Sequence, residues 1–367
     1  MNKRVIAIHL PQFHPFLEND EWWGKGFTEW TNVTKAKPRF LGHYQPHLPS
    51  DTGFYDLRLP EAREMQANMA REYGIYGFCY YHYWFGNGKM LLQKPFEEVL
   101  RLGKPDFPFC LCWANHDWTT KTWVKGSSMV NNTMIAQQEY LGEQDDIKHF
   151  EYCLRAFKDH RYITIEGKPI FLIYDPLSFP NVKEFMNRWN FLAKKNNLKG
   201  IYFIGVTTGR QSSYKIVTNL GFDGVCHNRR WEAEAKAAGF RFVRRMQSLL
   251  GWHLGISLMK YDYNKVVRNY DTPENKLENC YPVITPGFDR TPRAGRRAGI
   301  YVNSSPKNFK KHVAEVCKSI QDKDDDHRLV FLSAWNEWGE GNYMEPDLKW
   351  GHGYLEALKS VVKFQIK

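Results

Sequence analysis

The sequence predicts an α/β protein with a single TIM-like (β/α)8 barrel domain spanning residues 1–367. Three observations favour this fold: eight short apolar runs rich in β-branched and aromatic residues, helix-like segments between them, and polar or aromatic residues directly after most runs. Strands that alternate with helices indicate a parallel sheet, and eight such units indicate closure into a barrel. An open, doubly wound sheet is the alternative, but no Gly-x-Gly-x-x-Gly turn follows the first run.

Each predicted strand is a short apolar run, and each predicted helix is a longer segment with apolar residues at helical spacing. The predicted strands are Arg4–Leu10, Ile75–Tyr81, Phe107–Trp113, Pro169–Tyr174, Ile201–Val206, Phe222–His227, Pro282–Thr285 and Leu329–Trp335. The predicted helices are Pro60–Tyr73, Pro95–Leu102, Asp145–Phe157, Val182–Lys195, Ser213–Leu220, Lys307–Ile320 and Tyr354–Phe364. Long loops are expected at the C-terminal face of the barrel, and the long sixth connection predicts an insertion over about residues 228–280.

The net charge of +11 favours anionic partners. The densest basic run is Arg290–Arg297. An anionic or lipid-linked glycan and a peripheral contact with an anionic membrane surface both fit this charge, and a solvated basic surface is the alternative. No nucleic-acid-binding module accompanies the charge, so no nucleic-acid partner is expected.

The seven cysteines are scattered and form no Cys-x-x-Cys pair, which favours reduced thiols. The N-terminal apolar run is too short for a signal peptide, and no run reaches the roughly 20 apolar residues of a membrane span. These features predict a soluble, cytoplasmic protein. The aromatic content is high, with 13 Trp, 20 Tyr and 24 Phe. Some of these rings are expected in the core, and others are expected to form flat platforms for sugar rings.

Glu337 and Glu340 form the strongest local signal, because they follow the last predicted strand and are flanked by Trp335, Trp338 and two glycines. A carboxyl group beside indole rings is poorly solvated, which raises its pKa, while a second carboxylate can stay ionised as a base. Cleavage of a glycosidic bond needs this division of labour. The alternative is an exposed Glu pair at the start of a helix. One helical turn predicts a separation of about 5–6 Å and retention of configuration, whereas an extended loop predicts ~10 Å and inversion.

Further candidate residues lie after the predicted strands, where barrel enzymes place their active sites. Aromatic faces stack on the C–H faces of sugars, while polar groups bind hydroxyls. The predicted sugar-binding residues are Gln12, His14, Trp30, Tyr81, His82, Trp84, Trp113, Asn115, Trp118, Asp175, Trp335, Asn336 and Trp338.

No metal or other cofactor is predicted. His43 and His47 are four residues apart, but Pro46 lies between them and disrupts a helical face, and no His-Glu-x-x-His motif occurs. The acidic run Asp322–Asp326 contains an Asp-x-Asp triplet of the kind that holds a metal on a sugar diphosphate. It precedes the eighth strand, however, and is therefore predicted to be a solvated turn at the opposite face of the barrel.

Five longer motifs resemble the WbsX family of bacterial surface-polysaccharide proteins. They are the segments Pro11–Pro15, Trp22–Trp30, Gly42–His47, Tyr76–Trp84 and Trp335–Gly341. The resemblance runs from about residue 4 to about residue 360. That family is in turn similar to glycoside hydrolase family 99, which contains endo-acting α-mannosidases and mannanases.

The resemblance implies a (β/α)8 barrel that acts on a mannose-type or related α-glycosidic bond, without a metal and with retention of configuration. By analogy, Glu337 would deprotonate the sugar 2-hydroxyl to form a 1,2-anhydro sugar, and Glu340 would protonate the leaving oxygen and then activate water. Two positions depart from the hydrolase pattern: the loop Asn115–Thr120, and Gly339, where those relatives usually carry His. A glycosyltransferase or transglycosylase in O-antigen, capsule or lipopolysaccharide synthesis is the first alternative, and a non-catalytic glycan-binding protein is the second.

Overall fold

The structure is a computed structural model, and it describes residues 3–119, 134–209, 211–238, 245–246, 249–250, 259–295 and 298–362. Its centre is a closed barrel of eight parallel strands. In chain order they are β1 Arg4–His9, β2 Gly77–Trp84, β3 Phe109–Trp113, β4 Lys168–Ile173, β5 Tyr202–Val206, β6 Gly224–His227, β7 Cys280–Ile284 and β8 Leu329–Leu332. Each strand pairs with the next, and β1 pairs with both β2 and β8, so the sheet has no free edge. The predicted fold class is confirmed.

The barrel strands are buried on both sides, which explains why they read as continuous apolar runs rather than as alternating ones. All residues of β3, β5, β6, β7 and β8 are buried. One side of each strand faces the barrel interior and the other faces the helices. The eight predicted strands are therefore all present, with ends that differ by a few residues.

Helices connect the strands and cover the outside of the barrel. Those predicted from the sequence are observed as Pro60–Glu72, Lys94–Leu102, Glu143–Phe157, Val182–Lys195, Tyr214–Asn219, Pro306–Ser319 and Gly353–Lys359. Trp189 shows how they pack: its side chain is fully buried, and its ring centroid lies 4.8 Å from that of Phe171 on β4. Side-chain caps define the N-termini of two of these helices. The backbone N–H of Ile216 donates to Ser213 Oγ, and that of Asn308 donates to Ser305 Oγ.

The C-terminal face of the barrel carries the additional elements. Short helices or 3-10 turns follow β1, β6, β7 and β8 and span Leu17–Trp23, Glu29–Lys35, Arg230–Ala237, Tyr263–Val267, Pro273–Lys276, Thr291–Ala294 and Trp338–Glu340. Short strands pair as Trp118–Thr119 with Met134–Ala136, Lys260–Asp262 with Ile300–Val302, and Asn336–Glu337 with Asn342–Tyr343. Met90–Leu91 pairs with the end of β2.

The predicted insertion at residues 228–280 is described in part. Its helix Arg230–Ala237 and the stretch from 259 to 280 are defined, whereas most of residues 239–258 lies outside the described part of the chain. Among the described residues, no helix is long and apolar enough to cross a membrane. The acidic run before β8 forms a 3-10 turn at Asp325–His327 with exposed carboxylates, at the N-terminal end of the barrel.

Candidate active site

A cavity of about 450 Å³ opens at the C-terminal mouth of the barrel. Side chains from the ends of most strands reach it. Of the residues predicted from the sequence, those that line it are Gln12, Tyr81, Trp118, Asp175, Glu337 and Glu340. The volume falls in the range of about 300–1,000 Å³ that small-ligand sites occupy.

The segment after β8 places Glu337 and Glu340 side by side. Asn336–Glu337 pairs with Asn342–Tyr343, and between these strands the chain makes the 3-10 turn Trp338–Glu340. Residues three apart on a 3-10 turn eclipse one another, so both carboxyl groups point into the cavity and share a hydrogen bond. The turn ends at Gly341, whose φ of 56° and close approach to Asp289 require glycine.

Glu337 is the protonated member of this pair. Burial raises the pKa of Glu337, and the neighbouring charge of Glu340 raises it further, while Arg293 only partly opposes these effects. The negative charge of Glu340 opposes ionisation of Glu337, so the pair holds one proton near neutral pH.

Glu340 is the ionised member because three arginines surround it. Its carboxylate oxygens lie 2.9 Å from Arg293 Nη1, 3.2 Å from Arg290 Nε and 3.7 Å from Arg230 Nη1. Burial alone would raise the pKa of Glu340, but these cations outweigh burial and lower it well below its ordinary value. The resting charges are therefore the reverse of those that a Glu337 base and a Glu340 acid require.

A buried ion pair lies directly behind Glu340. Arg293 contacts Glu29 Oε1 through Nη2 at 2.9 Å and Nε at 3.0 Å, and the Glu29 side chain is fully buried. A Cβ atom at position 339 would lie 1.9 Å from Glu29 Oε1 and 2.9 Å from Arg293 Nε. The Glu29–Arg293 pair thus occupies the space of a side chain at Gly339, so this position requires glycine.

Replacement of Gly339 by alanine is expected to lower the free energy of unfolding by about 1–3 kcal/mol, the usual cost of overpacking a buried site. The added methyl group must displace Glu29 or Arg293, and neither can move without leaving a charge unpaired. Chemical denaturation of wild type and Gly339→Ala measures the loss. Gly209→Ala is the control, because a Cβ there meets nothing within 4 Å. Equal stability of wild type and Gly339→Ala would contradict this packing account.

A hydrogen-bond network holds the turn against β1. The Asn336 side chain accepts a bond from the Leu10 N–H at 2.7 Å and donates to the Leu10 carbonyl at 3.0 Å. Trp338 Nε1 and the Tyr55 hydroxyl both donate to the buried carboxylate of Glu345, at 2.6 and 2.9 Å. These contacts fix the direction in which the two catalytic candidates point, although Asn336 and Trp338 themselves do not line the cavity.

Nine of the predicted site residues lie buried behind the cavity wall instead of on it. They are His14, Trp30, His82, Trp84, Trp113, Asn115, Trp335, Asn336 and Trp338. Strand alternation is one cause: along β2, Tyr81 and Tyr83 face the cavity, while His82 and Trp84 face the helix layer and contact His149. Their side chains therefore have no direct access to a ligand in this cavity.

Several of these buried residues position the wall. Asn115 donates to the Asp175 carbonyl at 2.8 Å and accepts from the Asp175 N–H at 2.7 Å, which fixes the loop after β4. Trp30 packs on Phe13 and Trp338, with ring centroids 4.8 and 5.5 Å away. In the loop that departs from the hydrolase pattern, His116 and Asp117 both line the cavity, whereas Thr120 lies outside the described residues.

Other residues at the site were not predicted from the sequence. These residues line the cavity around the carboxyl pair or, in the case of Glu29, pair with a residue that does. They are Glu29, Tyr83, Tyr174, Arg230, Arg290 and Arg293. Side chains alternate between the two faces of β2, so Tyr83 could have been predicted from its position two residues after Tyr81. The basic run that begins at Arg290 indicated a cationic region. Nothing local to Glu29 or Arg230 signals a role, because each acts through residues more than 100 positions away.

One cluster in the described part of the chain has the residue types of a metal site: His82, His149 and Cys153 place ligand atoms within 4.8 Å of one another. The two histidine Nε2 atoms are only 2.7 Å apart, a hydrogen-bond distance. Two nitrogens on one tetrahedral zinc lie about 3.3 Å apart, given bonds of about 2.0–2.1 Å. Trp84 stacks on His149 with an interplanar angle of 5°. The geometry fits a hydrogen-bonded pair in an aromatic core better than a metal site.

A second cavity of about 400 Å³ lies on the other side of the Gly341 turn. His43, His47 and Asp289 line it. His43 Nε2 and Asp289 Oδ2 are 2.7 Å apart, and the Tyr343 hydroxyl contacts His47 Nδ1 at 2.7 Å. These polar side chains hydrogen-bond to one another. The cavity at the barrel mouth, in contrast, contains the coupled carboxyl pair. We therefore assign the candidate active site to the barrel mouth.

Comparison with known proteins identifies the family. The family model described as Glycosyltransferase WbsX matches residues 5–358, nearly the whole chain. The chain belongs to the WbsX family. The uncharacterized proteins WxcX from two strains of Xanthomonas campestris pv. campestris are each 33% identical to it over 359 residues. This WbsX-family chain is covered to 98% by those matches but spans only 49% of each relative, about half their length.

Solved structures share the fold of this WbsX-family protein. The GH99 endo-alpha-mannosidase from Bacteroides thetaiotaomicron, in complex with BIS-TRIS-propane, superposes with a TM-score of 0.56 and 15% identity over 98% of this chain and 96% of its own. A glycoside hydrolase-like protein superposes with a TM-score of 0.57 and 16% identity over 99% and 95% of the two chains. These superpositions show that the barrel fold is shared.

Proposed function

We propose that this protein is a retaining carbohydrate-active enzyme that cleaves an α-glycosidic bond, of mannose or a related sugar, in a bacterial glycan. The observation that carries the proposal is the hydrogen-bonded pair of Glu337 and Glu340 in the cavity at the barrel mouth. A pair that shares one proton supplies both an acid and a base at neutral pH. The relationship in fold to a GH99 endo-alpha-mannosidase supports an α-mannosidic substrate.

The proposed reaction has two steps and forms no bond between enzyme and sugar. Glu337 takes the proton of the sugar 2-hydroxyl as that oxygen attacks C1, and Glu340 gives a proton to the leaving oxygen. Water then opens the 1,2-anhydro sugar, with its proton taken by Glu340 and the 2-hydroxyl reprotonated by Glu337. Two inversions at C1 give net retention. The direct contact between the carboxyl groups fits this route, because neither has to reach C1 from the opposite face of the ring.

The surrounding side chains fit a sugar. Trp118 lines the cavity, and its ring packs edge-on against Tyr83 with centroids 5.0 Å apart, which leaves a rigid aromatic wall. Gln12, Asp117 and Asp175 supply amide and carboxylate groups to the same space. Aromatic faces with polar rims match the two kinds of surface that a pyranose ring presents.

Proton NMR of the first-formed product tests the proposal. Wild-type protein is incubated with a panel of α-linked mannose-type oligosaccharides, and the anomeric signals are followed before mutarotation. The expected result is release of a product with the α configuration. A product that first forms as the β anomer would contradict retention, and the absence of turnover over the whole panel would contradict the hydrolase assignment.

Glycosyl transfer is the second candidate, favoured by the arginines around Glu340. A phosphate leaving group needs no proton but gains from positive charge. Calorimetry with sugar nucleotides separates the two candidates: tight binding supports transfer, and no binding together with oligosaccharide cleavage supports hydrolysis. A transglycosylase would bridge them, since a sugar hydroxyl can open the same 1,2-anhydro intermediate.

A further inference from the structure

Three arginines surround Glu340 at the active site, which is an uncommon environment for a general acid. Arg230 begins the helix after β6, and Arg290 and Arg293 belong to the loop after β7, so separate strands bring three guanidinium groups to Glu340. A general acid in a hydrolase is normally kept from ionising by its surroundings. Here the surroundings force Glu340 to ionise, which calls for an explanation in terms of the substrate.

All three arginines line the cavity, but they differ in exposure. The side chains of Arg230 and Arg290 are 25% and 31% exposed, whereas that of Arg293 is 9% exposed and is paired with the buried Glu29. Arg290 has Glu340 as its only carboxylate partner within 4 Å among the described residues. A guanidinium carries five N–H donors, more than this one contact uses.

Aromatic rings flank Arg230 in addition to its 3.7 Å ion pair with Glu340. Its guanidinium carbon lies 4.6 Å from the ring centroid of Phe288 and 5.0 Å from that of Trp231. Stacking of this kind orients the planar group while leaving its N–H edge available. Arg230 and Arg290 thus form a preorganised cationic edge beside the reacting groups.

The charges around the cavity mouth are separated. Asp117 and Asp175 follow β3 and β4, on the side of the barrel opposite to the loops after β7 and β8. A ligand that spans the cavity therefore meets Asp117 and Asp175 at one end, and the arginines together with the Glu337–Glu340 pair at the other.

We propose that Arg230 and Arg290 form an oxyanion subsite, and that the substrate carries a phosphate or carboxylate group next to the sugar that reacts. Arginine pairs bind such groups through bidentate, charge-assisted hydrogen bonds. The inference rests on the proposed function and deepens it, because it adds a charge requirement to the glycan. The shared chemistry is that of a planar or tetrahedral oxyanion, whether it belongs to a glycosyl phosphate or to an acidic sugar.

Binding of the oxyanion also resolves the reversed charges of the pair. An anion on Arg230 and Arg290 withdraws their stabilisation from Glu340 and adds a negative charge beside it. The proton then leaves the carboxyl group of Glu337 and crosses the shared hydrogen bond to the carboxylate of Glu340. The pair then has an ionised Glu337, which can act as the base, and a protonated Glu340, which can act as the acid. Binding of the anionic substrate thus places both groups in the protonation states that the reaction requires.

Isothermal titration calorimetry tests the subsite with three probes: pyrophosphate, glucuronate and mannose. Wild type is expected to bind at least one of the two anions, and the stronger one identifies the source of the oxyanion. Arg230→Met and Arg290→Met should each weaken that binding about tenfold to a hundredfold, the range for one charge-assisted contact. Arg290→Lys should weaken it less, because the charge is kept.

The control is Arg101→Gln, an exposed arginine paired with Glu98 on the outer helix Lys94–Leu102. It should leave anion affinity unchanged, and thermal melts verify that every variant is folded. Equal anion affinity in wild type and Arg290→Met, or no anion binding by wild type, overturns the subsite. Cleavage of neutral glycans by wild type as fast as that of their acidic counterparts also overturns it but leaves the proposed function standing. Arginine-dependent anion binding without turnover of any glycan supports the subsite and contradicts the proposed function.

Discussion

Replacement of Glu340 by glutamine is expected to lower kcat/KM by about 10²–10⁴, the usual contribution of a positioned acid or base. Glutamine keeps the size of the side chain and an acceptor oxygen for Arg293, so the fold should persist. It can neither give a proton to the leaving oxygen nor take one from water. Glu337→Gln should produce a loss of similar size, because the attack of the 2-hydroxyl then has no base.

The pH dependence of the same assay tests the shared proton. Burial and the Glu340 charge raise the pKa of Glu337, and the arginines lower that of Glu340, so the singly protonated pair spans neutral pH. Activity should fall at alkaline pH as this proton is lost and at acid pH as a second proton is gained. The alkaline limb should lie well above the ordinary pKa of glutamate.

Glu184→Gln is the matched control for these variants, since Glu184 is exposed on the outer helix Val182–Lys195. It should retain wild-type kcat/KM. Turnover by Glu340→Gln at the rate of Glu184→Gln would show that the pair does not carry the chemistry.

Replacement of Arg293 by methionine is expected to lower the free energy of unfolding by about 3–5 kcal/mol, the cost of removing one partner from a buried ion pair. Glu29 is fully buried, and Arg293 lies between it and Glu340 with contacts of 2.9 Å to both. Although burial opposes the charged form, these carboxylates raise the pKa of Arg293 and keep it ionised. Without it, Glu29 must hold a proton or remain charged without a partner.

The stability of Arg293→Met should depend on pH through the protonation of Glu29. Burial raises the pKa of Glu29, and Arg293 opposes that rise. In Arg293→Met the pKa of Glu29 rises further, so the folded state binds this proton more tightly than the unfolded state does. The variant should therefore lose additional stability as pH rises above the unfolded pKa of glutamate.

Denaturant unfolding of wild type, Arg293→Met and Glu29→Gln/Arg293→Met measures these losses. The double variant should be more stable than Arg293→Met, because no buried charge is left alone. Arg101→Gln again serves as the control, and its unfolding should match that of wild type. If Arg293→Met unfolds like wild type, the buried pair does not support the site as described.

The barrel was predictable because its strands are buried on both sides and its helices are amphipathic. Val182–Lys195 was predicted with both ends correct, since Phe185, Met186 and Trp189 recur at helical spacing toward the core. The helices Leu17–Trp23 and Glu29–Lys35 were not predicted. Each has only seven residues, too few for a clear periodic pattern, and tertiary contacts stabilise them.

The candidate site was predictable only where the signal is local. Glu337 and Glu340 are close in sequence and flanked by Trp, so their motif marked them. Trp84 was selected for its type and position, but the two-residue period of β2 turns it away from the cavity. Arg293 was missed because its role depends on Glu29, 264 residues earlier, and such a contact exists only once the barrel has closed.

The most direct test of the central claim is a crystal structure of Glu340→Gln with a bound oligosaccharide. We expect a sugar ring at the barrel mouth, with its 2-hydroxyl within hydrogen-bond distance of Glu337 and its glycosidic oxygen within hydrogen-bond distance of the glutamine at position 340. A glycan bound instead in the cavity lined by His43 and Asp289, with Glu337 untouched, would contradict the assignment of the active site.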